Sequence, residues 1–109
     1  MDREYTIFLS DEAKRDIDKL GDVIIYDYQA PVTAFRYVQG LLNAIKSITK
    51  APEIFTIQTH QSLQQYGQNV RRVNYKKMAI IYTIHGHIVY VHRIIPSTMI
   101  FSLPFTVNS

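Results

Sequence analysis

A chain of 109 residues falls in the size range of one domain and can bury a core without a disulfide or a structural metal. It contains no cysteine, which excludes a disulfide framework, cysteine-ligated zinc and a thiol nucleophile, and which fits a reducing compartment such as the cytoplasm. The formal net charge of +3 is unevenly divided: residues 1–50 carry seven Lys/Arg against eight Asp/Glu, whereas residues 51–109 carry Arg71, Arg72, Lys76, Lys77 and Arg93 against Glu53 alone. The second half is a basic surface whose candidate counterparts are nucleic acid, an acidic protein segment or solvent. The charged opening Met1-Asp2-Arg3-Glu4 is unlike a secretory leader, and no apolar run approaches a membrane span, so no membrane partner is expected.

Residues 4–9, Glu-Tyr-Thr-Ile-Phe-Leu, have the β-branched and aromatic character of a strand, and Ser10-Asp11 offer side-chain oxygens that can cap a following helix. Ala13, Ile17, Leu20, Ile24 and Tyr28 then recur at spacings of four, three, four and four, which predicts an amphipathic helix with Lys14, Arg15, Asp18, Lys19 and Asp22 off the apolar stripe. Gly21 inside the pattern costs roughly 1 kcal/mol relative to alanine and marks a bend or a close packing contact. Pro31 suits the first turn of a second helix and pushes the residue before it out of helical geometry, so the first helix ends near Gln29. Ala34, Val38, Leu41, Ile45 and Ile48 form the second apolar stripe, which closes at Ala51-Pro52. With so short a linker the helices are predicted to pair as an antiparallel hairpin, with Tyr26, Tyr28 and Tyr37 filling its seam.

From residue 53 to residue 68 the periodicity disappears and glutamine accumulates at positions 58, 61, 64, 65 and 68, which reads as a surface loop with at most one short helical turn. Residues 70–74, 78–84 and 88–95 are rich in Ile, Val, Tyr and Thr and are separated by Tyr75-Lys76-Lys77 and His85-Gly86-His87, the two reversals of a three-stranded meander. The last two strands are apolar at nearly every position, so both of their faces need cover, and one hairpin supplies only one. The expected architecture is α+β: a single two-layer domain over 1–109 with an N-terminal strand, a helical hairpin and then a three-stranded antiparallel meander. For the tail over 99–109, extension, docking and disorder all stay open.

Over residues 4–99 the sequence resembles the RelE/ParE toxin family of type II toxin–antitoxin modules, on the ParE-like side. The opening Tyr5-x-Ile7-x-Leu9-Ser10-x-x-Ala13-x-x-Asp16-Ile17 is similar to the family's first strand and helix start. The hairpin resemblance lies in Ile24-Ile25-Tyr26-Asp27-Tyr28, Ala34, and Leu41-x-x-Ala44-Ile45-x-x-Ile48-x-x-x-Pro52. Arg71-Arg72-Val73, Lys77-x-x-Ile80-Ile81-Tyr82-x-Ile84 and Ile88-Val89-Tyr90-Val91-His92-Arg93-Ile94-Ile95 resemble the last three strands. The resemblance implies a plasmid-stabilising toxin that stops growth by binding a target such as DNA gyrase and is neutralised by a cognate antitoxin. Its alternatives are a ribosome-dependent mRNA endoribonuclease and a non-toxic interaction domain of the same fold. It implies no cofactor, and a homodimer is compatible with it.

Cutting RNA without a metal needs a base, cations for the phosphorane and an acid. Arg71, Lys77 and Arg93 stand where RelE-like toxins carry their strand cations. After Ile95, however, the chain reads Pro96-Ser97-Thr98-Met99, where the resemblance would place a basic residue and a following Tyr or His. A binding mode is therefore favoured, with Arg71, Arg72, Lys76, Lys77 and Arg93 as the target- or antitoxin-binding set. On a strand Arg71 and Arg72 point to opposite faces, Lys77 could lie near Arg71, and Arg93 is expected to share a face with Val89 and Val91. An acidic antitoxin segment would lie over the uncovered apolar strip of the sheet, its carboxylates against Arg71, Lys77 and Arg93, so that charge reversal at Arg71 and Arg93 should leave the fold intact. His85, His87 and His92 lack carboxylate or cysteine neighbours in the sequence, and no metal site is expected from them. Tyr82 and Tyr90 read as cross-strand core.

Overall fold

The computed structural model describes residues 4–103. Strand β1 (Thr6–Leu9) leads into helix α1 (Asp11–Asp22), and α2 (Pro31–Ser47) returns antiparallel to it; β2 (Arg71–Tyr75), β3 (Met78–His85) and β4 (Ile88–Pro96) follow. The four strands form one sheet in the order β1-β4-β3-β2. The meander is antiparallel as expected, and β1 finds its partner in β4, running parallel to it with Thr6 opposite Ile88 and Leu9 opposite Val91. The sheet is therefore mixed. The connection from β1 to β4 passes through two helices and two strands, long enough to return in the same direction.

Ser10 joins strand to helix. Its side chain accepts from the Ala13 amide at 3.0 Å as an N-cap, and its hydroxyl donates to the His92 carbonyl at 2.7 Å. A single side chain thus starts α1 and ties it to β4, where capping alone contributes about 1 kcal/mol. The stripe of α1 does not continue to Tyr28. Residues Val23–Asp27 form a π-helical turn, closed by Gln29 at φ 51°, and the wider turn rotates the following side chains away from the core. Tyr26 and Tyr28 consequently stand 72% and 73% exposed rather than in the seam. Tyr37 remains half-buried, edge-on to Tyr75. At Gly21 an added Cβ would lie 3.8 Å from Val38, an ordinary contact distance between the two helices.

The main core lies between the hairpin and the sheet: Ala13 of α1, Leu41 and Ile45 of α2, and Ile80, Tyr82, Val89, Val91 and Ile94 of the central strands. The opposite face of the sheet is covered by the chain itself. Leu63, in the 3-10 helix Gln61–Tyr66, and Ile100 and Leu103, in and after the 3-10 helix Ser97–Ser102, pack over Val70, Ala79, Ile81 and Ile95. This corrects the expectation that an antitoxin covers that strip. The segment before β2 is no loose loop: Ile57 bridges to Arg71, the Gln58 amide donates to the Val70 carbonyl at 2.7 Å, and the Gln64 side chain donates to the carbonyls of Gln58 and His60. Ser62, fully buried, donates its hydroxyl to the Ile100 carbonyl at 2.7 Å and so links the two covering segments. Of the expected tail, 99–103 is docked in this way, and 104–109 lies outside the described residues.

Candidate functional site

Arg71 opens β2 opposite Tyr82, so its side chain lies on the helical face of the sheet. Its Nη1 donates to the Glu53 carbonyl at 2.8 Å and also to the Phe55 carbonyl, while the Tyr82 hydroxyl donates to the Pro52 carbonyl at 2.6 Å. The two side chains hold the turn around Pro52–Ile54 against the sheet. Burial pushes the Tyr82 phenol up to about 12, with the Arg71 charge opposing the shift. On its open side Arg71 lines a polar cavity of about 530 Å³ with Glu53, Gln68, Asn69, Ile84 and His85.

Arg93 does not share a face with Val89 and Val91. A register shift pairs Ile81 with Arg93 but Tyr82 with Val91, leaving His92 as the extra residue of a bulge. Beyond Val91, β4 has lost its neighbour because β1 has already turned into α1, and Asp16 of α1 fills the vacant edge. Its carboxylate accepts from the Ile94 amide at 2.9 Å, from Arg93 Nε at 2.8 Å and from Arg93 Nη2 at 3.1 Å, while Glu12 lies 3.4 Å from Nη1. This two-pronged, charge-assisted geometry at a partly buried position is stronger than an ordinary surface ion pair. The Asp16 hydrogen bonds raise the Arg93 pKa further above its usual value, against the opposing effect of burial. Tyr66 packs beside Arg93 and is itself raised by burial, with Arg93 pulling it down.

Arg71 and Arg93 therefore brace a turn and an edge, and reversing either charge is expected to disturb the fold. The remaining basic residues gather elsewhere. Arg72 points to the sheet face opposite that of Arg71, as its pairing with Ile81 requires. Lys76 takes the left-handed turn position at φ 52°, its ammonium 5.1 Å from the Tyr37 ring centroid and 5.6 Å from that of Tyr75, a cation–π arrangement. Lys77 is exposed, and its carbonyl accepts from the Ser97 amide. The turn lies four residues along β2 from Arg71, roughly 13 Å at strand rise, so Lys77 and Arg71 are not neighbours.

On the second face the Thr83 hydroxyl lies 2.8 Å from His85 Nε2 and 2.7 Å from His92 Nε2. One hydroxyl proton serves one imidazole, so the other donates to the oxygen. Burial, then the neighbouring His85, push the His92 imidazole down to about 4. Tyr90, half-buried on the same face, stacks on Phe8 at 5.0 Å and lies 4.6 Å from His92. Tyr90 is thus part of an aromatic row outside the main core, whereas Tyr82 is core. Among the described residues no group of three or more His, Cys, Asp or Glu gathers as a metal site.

Asp16 and Thr83 were not foreseen as organisers, and for Ser10 the cap was expected but its bond to the His92 carbonyl was not. Asp16 stands inside the motif Ala13-x-x-Asp16-Ile17, but its role depends on the β4 edge being open, a tertiary fact with no local signal.

A helical hairpin laid on a four-stranded sheet, with its strand arginines bracing loops and edges, makes this a small α+β domain. A family model described as the ParE toxin of the type II toxin–antitoxin system parDE matches residues 7–101, and the chain belongs to this family. Comparison with curated proteins gave no match. Among solved structures 11 chains match. One, titled "Chromosomal ParDE TA system from P. aeruginosa", is similar with a TM-score of 0.71 at 14% identity, over 87% of this chain and 98% of that chain. At that identity the likeness speaks for the fold. Among the described residues no helix is long and apolar enough to cross a membrane.

Proposed function

We propose that this chain is the growth-inhibiting component of a cytoplasmic two-gene module, that it acts by binding a target such as DNA gyrase, and that a cognate antitoxin neutralises it. The observation carrying the binding mode is the inward engagement of Arg71 and Arg93, the two strand arginines on which phosphoryl chemistry would depend. Membership of the ParE family supports the target class. Inducing the chain alone should slow growth, co-inducing the antitoxin should restore it, and purified chain should inhibit gyrase supercoiling while leaving ribosome-bound mRNA uncut. Codon-positioned cleavage in a toeprinting assay overturns this reading. The endoribonuclease alternative has one observation in its favour: Glu53, Arg71 and His85, residue types able to serve as base, clamp and acid, line one cavity.

A further inference from the structure

The second face of the sheet is sealed over only one end. Leu63, Ile100 and Leu103 lie over Ala79, Ile81 and Ile95, with Tyr66 at the margin of that cluster. Toward the other end the strand pairings bring Phe8 of β1, Ile88 and Tyr90 of β4, and Thr83 and His85 of β3 to the same face. Phe8 is 52% and Ile88 44% exposed, and His85 is exposed as well. Four rings cross this face in one row. Phe8 stacks on Tyr90 with centroids 5.0 Å apart and planes at 25°, Tyr90 lies 4.6 Å from His92, and His92 lies 5.2 Å from Tyr66. The buried Thr83 hydroxyl backs the row, 2.8 Å from His85 and 2.7 Å from His92. His85 also stands edge-on to Tyr90 at 6.3 Å and lines the polar cavity of about 530 Å³ with Gln68, Asn69 and Arg71. Through His85 the aromatic row and the polar cavity are therefore contiguous, with Phe8 about 10 Å from β3 at ordinary strand spacing.

We infer that this end of the sheet binds single-stranded nucleic acid over two to three nucleotides, a function that does not rest on the target or the antitoxin proposed above. Ring faces ranged across an open sheet are a platform for unpaired bases, and the exposed face of Phe8 continues the stack that Tyr90 begins. The charge fits the backbone. No Asp or Glu follows Glu53 in the sequence, so the meander strands carry no acid, and Glu53 itself accepts from the Tyr5 hydroxyl at 3.0 Å. Arg72 lies on the same face, opposite Ile81 and two residues from Thr83 along the neighbouring strand, and Arg71 lends its charge to the cavity while its Nη1 holds the turn. Phosphates are thus received at Arg72 and at the cavity, on either side of His85. A duplex cannot use the rings, because its bases are already stacked. An acidic polypeptide answers the cations but leaves the ring faces idle, and a second copy of this chain would set Arg72 of one protomer against the cations of the other. Binding here is not cutting, since Arg93 is spent on Asp16.

The test is fluorescence anisotropy of end-labelled oligouridylate and oligothymidylate, each about 12 nucleotides long, titrated with the full chain at low salt, beside a DNA duplex of the same length. Both single strands should bind within a few-fold of each other, because ring faces do not read the sugar, and the duplex should bind at least tenfold more weakly. Phe8→Ala should weaken single-strand binding about tenfold, and Phe8→Trp should retain or strengthen it. Arg72→Ala should lower the slope of log affinity against log salt by about 0.7, the share of one phosphate on a single strand. Circular dichroism and the melting temperature of the Phe8 variants should match wild type, since that ring is largely exposed. Failure of the wild-type chain to bind either single strand overturns the inference. Equal binding of duplex and single strand, or of Phe8→Ala and wild type, overturns it too, because charge alone is then at work. So does polyglutamate that displaces the labelled strand as well as unlabelled oligonucleotide does, which gives the face to an acidic polypeptide.

Discussion

Two surfaces of this molecule that carry apolar side chains outside the main core differ in how they end. The second face of the sheet, built from Ala79, Ile81 and Ile95, is sealed by Leu63, Ile100 and Leu103, while the outer face of α2 stays open over Val32, Phe35 and Leu42. The difference follows from the elements. The chain on either side of the meander, entering at Val70 and leaving at Pro96, lies directly over the sheet and folds back on it. Among the described residues no flanking segment covers Val32, Phe35 and Leu42 on the far side of α2. The lesson is that an apolar strip beside long flanking segments is filled from within, whereas the outside of a hairpin stays open.

The largest expected effect that sharpens this contrast is at Leu63. Leu63→Ala removes a fully buried side chain from the covering segment and should destabilise the fold by about 3 kcal/mol, while Phe35→Ala should stay within about 0.5 kcal/mol. Chemical denaturation of both variants checks the pair, and similar losses at both positions would erase the distinction. Gly40→Ala comes next. The added Cβ would run into the Tyr75 hydroxyl oxygen, so about 1–3 kcal/mol should be lost and part of it recovered by Tyr75→Phe, which a double-mutant cycle measures.

Asp16→Ala leaves Arg93 and the Ile94 amide without their shared acceptor and should cost about 2 kcal/mol; a change below about 0.5 kcal/mol by the same method contradicts the edge-bracing role. The smallest effect concerns pH. His92 has a folded pKa of about 4 against a usual value of 6.5, so as pH falls between these values the unfolded chain takes up a proton that the native state refuses. Stability should therefore decline from about pH 6.5 toward pH 4, and His92→Asn should lessen the decline in melting temperature over that window.

The helices, strands and reversals were legible because each rests on a local repeat or turn residue: the stripe ending at Ile48, Pro31 at the head of α2, Gly86 at φ 60° in the last turn. Three features were not. The π-helical turn at Val23–Asp27 leaves the apolar spacing of Ile24 and Tyr28 unchanged in sequence yet turns Tyr28 to solvent. The bulge at His92 moves Arg93 off its expected face, and only pairing across strands sets it. The glutamines of the segment before β2 look solvating because their hydrogen bonds go to backbone carbonyls that sequence cannot name.

Central to this account is that the strand arginines Arg71 and Arg93 belong to the scaffold. Amide chemical-shift mapping of the labelled chain during titration with the purified antitoxin tests this most directly. The account predicts perturbations near background at Arg71 and Arg93, whose side chains are engaged within the fold. Perturbations concentrated at Arg71 and Arg93 would contradict it.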